Sequence, residues 1–382
     1  MFPFFYDQKR FPSYQKGQYY LLVSLVIFTL FGWGYALCVR IWLKTRINYA
    51  KVLGLRGRYI LFRGGVARLC AMLAAFQLLT TAIFFGITWR FPQERSDGGI
   101  ASLLLLITLL AHIGFFVAPQ LPYVESRYFL RRTLLRCLST PFCYEFTFVD
   151  SVVADLLTSA GTALYRLQYG ICTVALTLWD TQEFAEEKCG GEESLYKQIA
   201  VPLAAAFPFW LRFVQCVSQY VYALSQKKRG WQAHQHLVNA FKYVSALAVV
   251  GTNALNFYHG SSRKGKGPYG NVWLVAVVVK MLYCYIWDIV MDWGLCQTSS
   301  GLRPTMLFAG KKWYYIAMVT NGFGRLSWAF GISPHQYPEE WSWLLQTIEV
   351  FRRIQWLVFR VENEYISGNK QDTLDKEDEG KI

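Results

Sequence analysis

The chain has 382 residues, a formal net charge of +14 and a composition that is 54% hydrophobic but only 17% charged. Soluble domains carry about 25% charged residues, so this balance is unusual for one. Uncharged stretches of about 20 residues, long enough to cross the ~30 Å hydrocarbon core as a helix, recur along the chain. These features exclude a disordered chain, a secreted disulfide scaffold and a β-barrel built of ~10-residue alternating strands. The sequence therefore predicts an all-α polytopic membrane protein.

The predicted spans fall into two groups. Three apolar spans lie in an N-terminal unit, 1–120, and six spans that carry ionisable residues form a bundle at 148–366. A polar, charged segment at 367–382 is expected to be a disordered cytosolic tail. The nine spans are predicted at 19–39, 69–89, 100–118, 148–179, 197–224, 236–257, 271–293, 312–331 and 340–364.

A basic segment, 121–147, separates the two groups of spans. Within 121–143, four arginines recur at helical spacing among aromatic residues and leucines, which is typical of an amphipathic helix lying at a membrane interface. They are Arg127, Arg131, Arg132 and Arg136.

The charges of the loops predict the orientation of the chain. Loops 40–66 and 225–235 are basic, whereas loop 180–196 is acidic. Loop 258–270 is basic and breaks the alternation. Taken together, the positive-inside rule places the N-terminus in the lumen or outside the cell and the C-terminus in the cytosol.

Asp, Glu, Lys and Arg residues lie inside the six later spans but not inside the first three. Eleven of them are candidates for a functional site, seven positive and four negative, so the net charge of this set is +3. A charged side chain at the bilayer centre costs at least ~2.5–3.5 kcal/mol, and it is expected to face a polar interior, a partner or a water-filled path. A bound anion would supply the missing negative charge, because the planar fork of arginine matches phosphate or carboxylate oxygens. The residues are Asp155, Arg166, Arg212, Lys242, Lys280, Asp288, Asp292, Arg325, Glu349, Arg352 and Arg353.

Helical spacing suggests some of the pairings. Asp288 and Asp292 are four residues apart and share a helix face. Glu349 lies three residues from Arg352 and four from Arg353, so it can pair with either. The spacing alone does not choose between them.

Structural alternatives remain open for the same residues. Arg166 and Lys280 can extend from span ends to the membrane interface. Asp288 and Asp292 can form buried ion pairs between helices without touching a ligand. Each alternative removes the residue from a binding site without changing the predicted span count.

The sequence offers no sign of an enzyme. It contains no GxSxG, HExxH or Walker A motif, and its nine cysteines form no CxxC. No group of histidines and cysteines has the spacing of metal ligands. The expectation is therefore a protein without catalytic residues, metal or cofactor.

Six short stretches stand out along the chain, and they are, in order, FVDSVVADL (148–156), WLRFVQC (210–216), HLVNAFKY (236–243), IWDIVMDWGL (286–295), EVFRR (349–353) and RVENE (360–364). Together they resemble the EXS domain, which forms the membrane part of the SPX–EXS phosphate exporters. The likeness covers roughly 120–366. It includes neither the soluble SPX domain nor the span that follows it, so the chain is expected to resemble the short EXS-only branch typified by fungal Golgi proteins named for defective retention of ER residents.

The resemblance implies a role for each matching residue. It implies phosphate binding by Asp155, Thr158, Lys242, Tyr243, Arg325, Arg352 and Arg353. It implies lining or gating of the path by Arg212, Asn239, Asp288, Asp292, Trp328 and Glu349. The position of Thr158 is usually Asn in the exporters, which is a departure from the family pattern.

The expected function is movement of inorganic phosphate down its gradient from the Golgi lumen to the cytosol, where it recycles a by-product of glycosylation. The alternative is a non-transporting Golgi trafficking factor that retains glycosyltransferases through loop 40–66, segment 121–143 and the tail. A plasma-membrane exporter differs only in location. The expected partners are inorganic phosphate and the lipid bilayer, with a homodimer, glycosyltransferases and coat components as further candidates. Nucleic acid is not expected.

Overall fold

The computed structural model describes residues 13–55, 65–90, 95–117, 124–139, 146–179, 188–189, 199–259, 268–326 and 342–379. These ranges are helical with short connections and contain no strand, which confirms the predicted all-α class. The helices are α1 (Ser13–Lys44), α2 (Tyr49–Val52), α3 (Gly65–Arg90), α4 (Arg95–Val117), α5 (Val124–Leu138), α6 (Phe148–Ser159), α7 (Gly161–Trp179), α8 (Val201–Ser225), α9 (Trp231–Tyr258), α10 (Gly270–Trp287), α11 (Lys312–Arg325) and α12 (Ser342–Glu379). A π-helical turn, Asp288–Asp292, continues α10.

Four helical segments among the described residues are long and apolar enough to cross a membrane. They are Lys16–Lys44, Ala67–Ile87, Val201–Ser225 and Gly270–Asp292. Gly99–Phe115 is apolar but shorter. The total of nine spans stays a prediction, because the other predicted spans carry buried charges or are interrupted.

The predicted span at 148–179 is two helices, α6 and α7, with a break at Ala160. The Ala160 amide donates to the carbonyls of both Leu156 (3.2 Å) and Leu157 (3.0 Å), so the last turn of α6 tightens. Small residues at 159–161 permit such a bend. The periodicity of apolar residues continues through the break, which is why the sequence predicted one span.

Helix α1 packs along α7 over its first half, and two glycines permit the close approach. A Cβ at Gly170 would lie 2.6 Å from the Leu21 Cβ, and one at Gly17 would lie 2.3 Å from the Thr173 hydroxyl. Gly17 thus lies beside Thr173, whereas Tyr20 contacts Tyr169 with ring centroids 5.7 Å apart. The two helices are therefore antiparallel.

The second half of α1 packs against α12. Gly34 faces Ile354, and the Trp42 indole N–H donates to the Val358 carbonyl at 3.3 Å. Helix α1 therefore contacts α7 with its first half and α12 with its second half.

The C-terminal segment differs from its prediction. Helix α12 continues through Glu379, past the point at 367 where a disordered tail was expected. The polar composition does not oppose a helix, because the segment 367–379 contains no proline.

The basic segment between the two groups of spans is helical and corresponds to α5. Two of its arginines point inward: Arg127 donates to the Phe115 carbonyl at 2.8 Å, and Arg136 pairs with Asp150 at 2.8 Å. The other face exposes leucines, such as Leu135 at 59%. Two of the four arginines that were predicted to lie at the membrane interface therefore bind α5 to neighbouring residues.

A disulfide joins Cys172 on α7 to Cys189. The sequence analysis did not find this pair, because its spacing fits no metal or redox motif. Cys189 packs with Tyr20 and Tyr169, at the end of α7 that faces the start of α1.

A buried ion pair anchors the connection between α10 and α11. Arg303 pairs with Glu362 of α12, and both side chains are almost fully buried. The same carboxylate accepts hydrogen bonds from the Leu307 amide (2.7 Å) and the Tyr314 hydroxyl (2.5 Å). Neither Arg303 nor Glu362 was among the residues that the sequence pattern singled out.

We expect Glu362→Ala to destabilise the protein by about 3–5 kcal/mol, because it leaves the Arg303 charge buried and uncompensated. Glu364→Ala is the matched control, since its pair with Arg360 is partly exposed and such pairs are worth at most ~1 kcal/mol. Thermal unfolding of the purified protein in detergent measures both. Equal shifts in Tm for the two variants would contradict the anchoring role.

Candidate functional site

The first part of the site joins α6, α8 and α9 through Asp155. The Asp155 carboxylate accepts from the Arg212 guanidinium (3.0 and 3.3 Å) and from the Tyr243 hydroxyl (2.5 Å). Arg212 also donates to Gln215 at 2.7 Å. All four side chains are buried. Arg212 is therefore neutralised by Asp155 and held in place, which makes it a structural member of the site.

The second part joins the end of α10 to α11 and α12 through Asp288. This carboxylate pairs with Arg325, accepts from the Asn321 amide at 3.0 Å and lies 3.6 Å from Arg352. Arg352 also donates to both oxygens of Glu349, at 2.8 and 2.5 Å. The structure thus selects Arg352 as the partner of Glu349.

The π-helical turn places two carboxylates against α12. Asp288 faces Arg352, while Asp292 accepts from the Trp356 indole N–H at 2.9 Å and lies 3.6 Å from Arg360. Both acids face the same helix, as their spacing predicted. π-helical turns occur frequently at functional sites.

Two buried cations of the site lack a carboxylate partner. In the part of the chain that the structure describes, no carboxylate oxygen lies within 4.0 Å of Lys242 or Arg353. Arg353 donates to the hydroxyls of Ser159 (2.7 Å) and Thr158 (3.2 Å), at the break between α6 and α7. The Lys242 ammonium lies over aromatic rings, 4.8 Å from the Tyr243 centroid.

The charge balance of the cluster follows from these contacts. Four arginines, Arg212, Arg325, Arg352 and Arg360, are matched by four acids, Asp155, Asp288, Glu349 and Asp292. Lys242 and Arg353 then remain as an excess of positive charge. Both lie within electrostatic reach of Asp155, so they belong to one cluster. Such an arrangement can hold an anion.

The structure sorts the thirteen site residues that the sequence predicted. Eleven have the contacts given above, and they come from five different helices and the π-helical turn. Asn239 is half-buried, and its side-chain oxygen has no hydrogen-bond partner within the described residues. Trp328 lies outside the described residues.

Two members of the site were not found from the sequence. Asn321 is fully buried and bridges Asp288 and Arg352, while Gln215 is fully buried against Arg212. Asn321 precedes Arg325 by four residues and Gln215 follows Arg212 by three, so helical spacing from the arginines was the available signal. Placing an uncharged side chain in the bilayer costs less free energy than placing a charged one, so Asn321 and Gln215 did not stand out in the sequence.

A separate groove of about 290 Å³ lies between α1 and α12. Its walls are mostly apolar, and they include Trp33, Leu37 and Phe351. None of the charged site residues lines it, so the groove and the charged cluster are different features.

The fold and the cluster define a class: a helical membrane protein with a buried, cation-rich polar centre. The sequence profile of the EXS family matches residues 19–366, and the chain belongs to this family. The family likeness predicted from the sequence motifs is thereby confirmed.

Three relatives are similar in sequence to most of this chain. Solute carrier family 53 member 1 of Homo sapiens is 32% identical over 314 residues, which cover 76% of this chain and 44% of that protein. Phosphate transporter PHO1 homolog 8 of Arabidopsis thaliana is 29% identical over 374 residues, covering 95% and 45%. SPX and EXS domain-containing protein 1 of Dictyostelium discoideum is 28% identical over 362 residues, covering 91% and 37%. The chain spans less than half the length of these relatives.

Proposed function

We propose that this protein transports inorganic phosphate across a membrane without catalysing a reaction. The observation that carries the proposal is the pair of buried cations, Lys242 and Arg353, which have no carboxylate oxygen within 4.0 Å among the described residues. An oxyanion is the partner that such groups require, and a guanidinium binds phosphate oxygens through parallel N–H donors. The printed name of the Arabidopsis relative, a phosphate transporter, supports phosphate as the anion.

The ion pairs within the cluster limit its net positive charge, which favours transport of an anion over permanent binding. Conduction requires binding that is favourable enough for the anion to bind but weak enough for it to leave. Asp155, Asp288 and Glu349 neutralise three of the arginines, which keeps the total positive charge low. Arg325 retains a buried Nε–H without a partner in the described residues, so it can still donate to the anion.

The proposed direction is from the Golgi lumen to the cytosol, down the phosphate gradient. Glycosylation from nucleotide sugars leaves nucleoside diphosphates in the lumen, and their hydrolysis releases phosphate that needs an exit. The Cys172–Cys189 disulfide supports placing the 180–196 side in the lumen, because disulfides persist in oxidising compartments. This orientation puts the N-terminus in the lumen and the C-terminus in the cytosol.

Phosphate flux into proteoliposomes that contain the purified protein tests the proposal. We expect radiolabelled phosphate to cross faster than in protein-free vesicles. We expect Lys242→Gln to slow the flux at least tenfold, since a hydrogen bond to a charged group is worth about 1.5–3 kcal/mol. Lys228→Gln, at an exposed lysine, is the control and should keep the native rate.

Two outcomes would overturn the proposal. One is a correctly inserted native protein that gives no flux above empty vesicles. The other is a flux equally reduced by Lys228→Gln and Lys242→Gln. The first outcome would favour the trafficking alternative, in which the buried charges serve only the fold. Competition by sulfate or small phosphorylated metabolites in the same assay determines the selectivity.

A further inference from the structure

Arg166 on α7 is a third buried cation without a carboxylate within 4.0 Å in the described part of the chain. Its side chain is 4% exposed. Its guanidinium lies over the Tyr20 ring, 4.7 Å from the centroid. Its Nε–H and one terminal N–H group are buried with no hydrogen-bond partner among the described residues. The alternative in which Arg166 extends to the membrane interface does not fit this burial.

The ring contact leaves the donors of Arg166 unsatisfied. A cation–π contact uses the face of the guanidinium, whereas the N–H groups lie in its plane. An arginine buried in a membrane without a partner carries a desolvation penalty that the ring offsets only in part. The free Nε–H and Nη1 groups lie on different edges of the guanidinium, so each can donate a separate charged hydrogen bond to an oxyanion oxygen.

Arg166 shares no contact partner with Lys242 or Arg353 among the described residues. It contacts Tyr20 near the start of α1, whereas Arg353 donates to Ser159 and Thr158 at the break between α6 and α7. Ser159 precedes Arg166 by seven residues, which corresponds to about 10 Å along a helix. Arg166 and Arg353 therefore belong to different groups of contacts.

The surroundings of Arg166 place it near the end of the bundle where α1 begins. The exposed Lys16 side chain lies over the same Tyr20 ring at 5.7 Å. Tyr20 thus lies between an exposed cation and a buried one. Its ring also covers Arg166, so the ring must move before an anion reaches the guanidinium.

We propose that Arg166 binds a second inorganic phosphate, in a position distinct from the site formed by Lys242 and Arg353. This inference rests on the proposed function, and it assigns the position to the half of the path nearest the N-terminal end of α1. Phosphate coming from that side binds Arg166 and then passes to Lys242 and Arg353. Tyr20 opens and closes the first position.

Equilibrium binding of radiolabelled phosphate to the purified protein in lipid nanodiscs tests the inference. We expect two phosphates per native chain and one per chain in Arg166→Gln. Arg353→Gln should also bind one, while Arg40→Gln, at an exposed arginine of α1, should bind two. Arg166→Lys keeps the charge but loses the planar guanidinium with its fixed N–H donors, and we expect two phosphates with the second bound at least fivefold more weakly.

The outcomes separate this inference from the proposed function. One phosphate per native chain, lost in Arg353→Gln, overturns the second site and leaves phosphate transport standing. Two phosphates in Arg166→Gln overturn it as well. If Arg166→Gln does not fold, unchanged affinity at both positions in Arg166→Lys overturns the second site. No binding to the native chain, together with no flux, overturns the proposed function itself.

Discussion

Arg353→Ala should reduce phosphate flux about 10- to 150-fold while the protein remains folded. The reason is that, among the described residues, Arg353 contacts two hydroxyls and a ring, so its removal breaks no ion pair there. Loss of a charged donor to the anion costs about 1.5–3 kcal/mol, and each 1.4 kcal/mol is a factor of ten. The flux assay in proteoliposomes measures the loss of phosphate transport, and thermal unfolding in detergent shows whether the variant remains folded.

The neighbouring arginine is the matched control for this prediction. Arg352 pairs with Glu349 and Asp288, so Arg352→Ala leaves the half-buried Glu349 without its partner and removes one of the two arginines that face the buried Asp288. We expect Arg352→Ala to lower the Tm clearly and Arg353→Ala to leave it nearly unchanged. Normal folding and native flux in Arg353→Ala would remove Arg353 from the site.

Asp288→Asn should tighten phosphate binding about tenfold and slow transport. The substitution removes one negative charge from the cluster and releases Arg325 and Arg352 from their shared partner. An extra unit charge at about 10 Å attracts the anion by ~1.5 kcal/mol at an effective dielectric constant of 20. An anion held more tightly leaves more slowly, so turnover falls. Phosphate binding to nanodiscs and flux into proteoliposomes measure the two effects.

A second substitution checks the cause. Adding Arg325→Gln to Asp288→Asn removes one of the released cations, so we expect affinity to return toward the native value. The double variant also restores the charge balance around Asn321, which contacts both Asp288 and Arg352. Weaker phosphate binding in Asp288→Asn than in the native protein would mean that Asp288 acts on the anion by positioning donors rather than by limiting charge.

The residues of the charged cluster were largely predictable from the sequence. The penalty for a charge in a bilayer is so large that each ionisable residue inside an apolar span is noticeable by itself. Asp155, Lys242, Asp288 and Arg353 were all identified in this way, before any contact was known. The same reasoning gave the helical class, because only helices satisfy their backbone groups within an isolated apolar span.

The pairing of those residues was decided by the tertiary structure. Helical spacing specifies neighbours on one helix, but Arg212 meets Asp155 across 57 positions and Arg325 meets Asp288 across 37. The sequence therefore treated Arg325, Arg352 and Arg353 alike, whereas the fold neutralises the first two and leaves the third with hydroxyls.

The sequence by itself determined the fold class, the family likeness and the set of buried charges, because these follow from composition, local periodicity and short motifs. Only the tertiary structure decided the break at Ala160, the isolation of Arg166 against Tyr20 and the excess charge at Lys242 and Arg353. These features depend on which helices approach one another. That approach is set by close contacts such as Gly170 against Leu21, which no single stretch of sequence encodes.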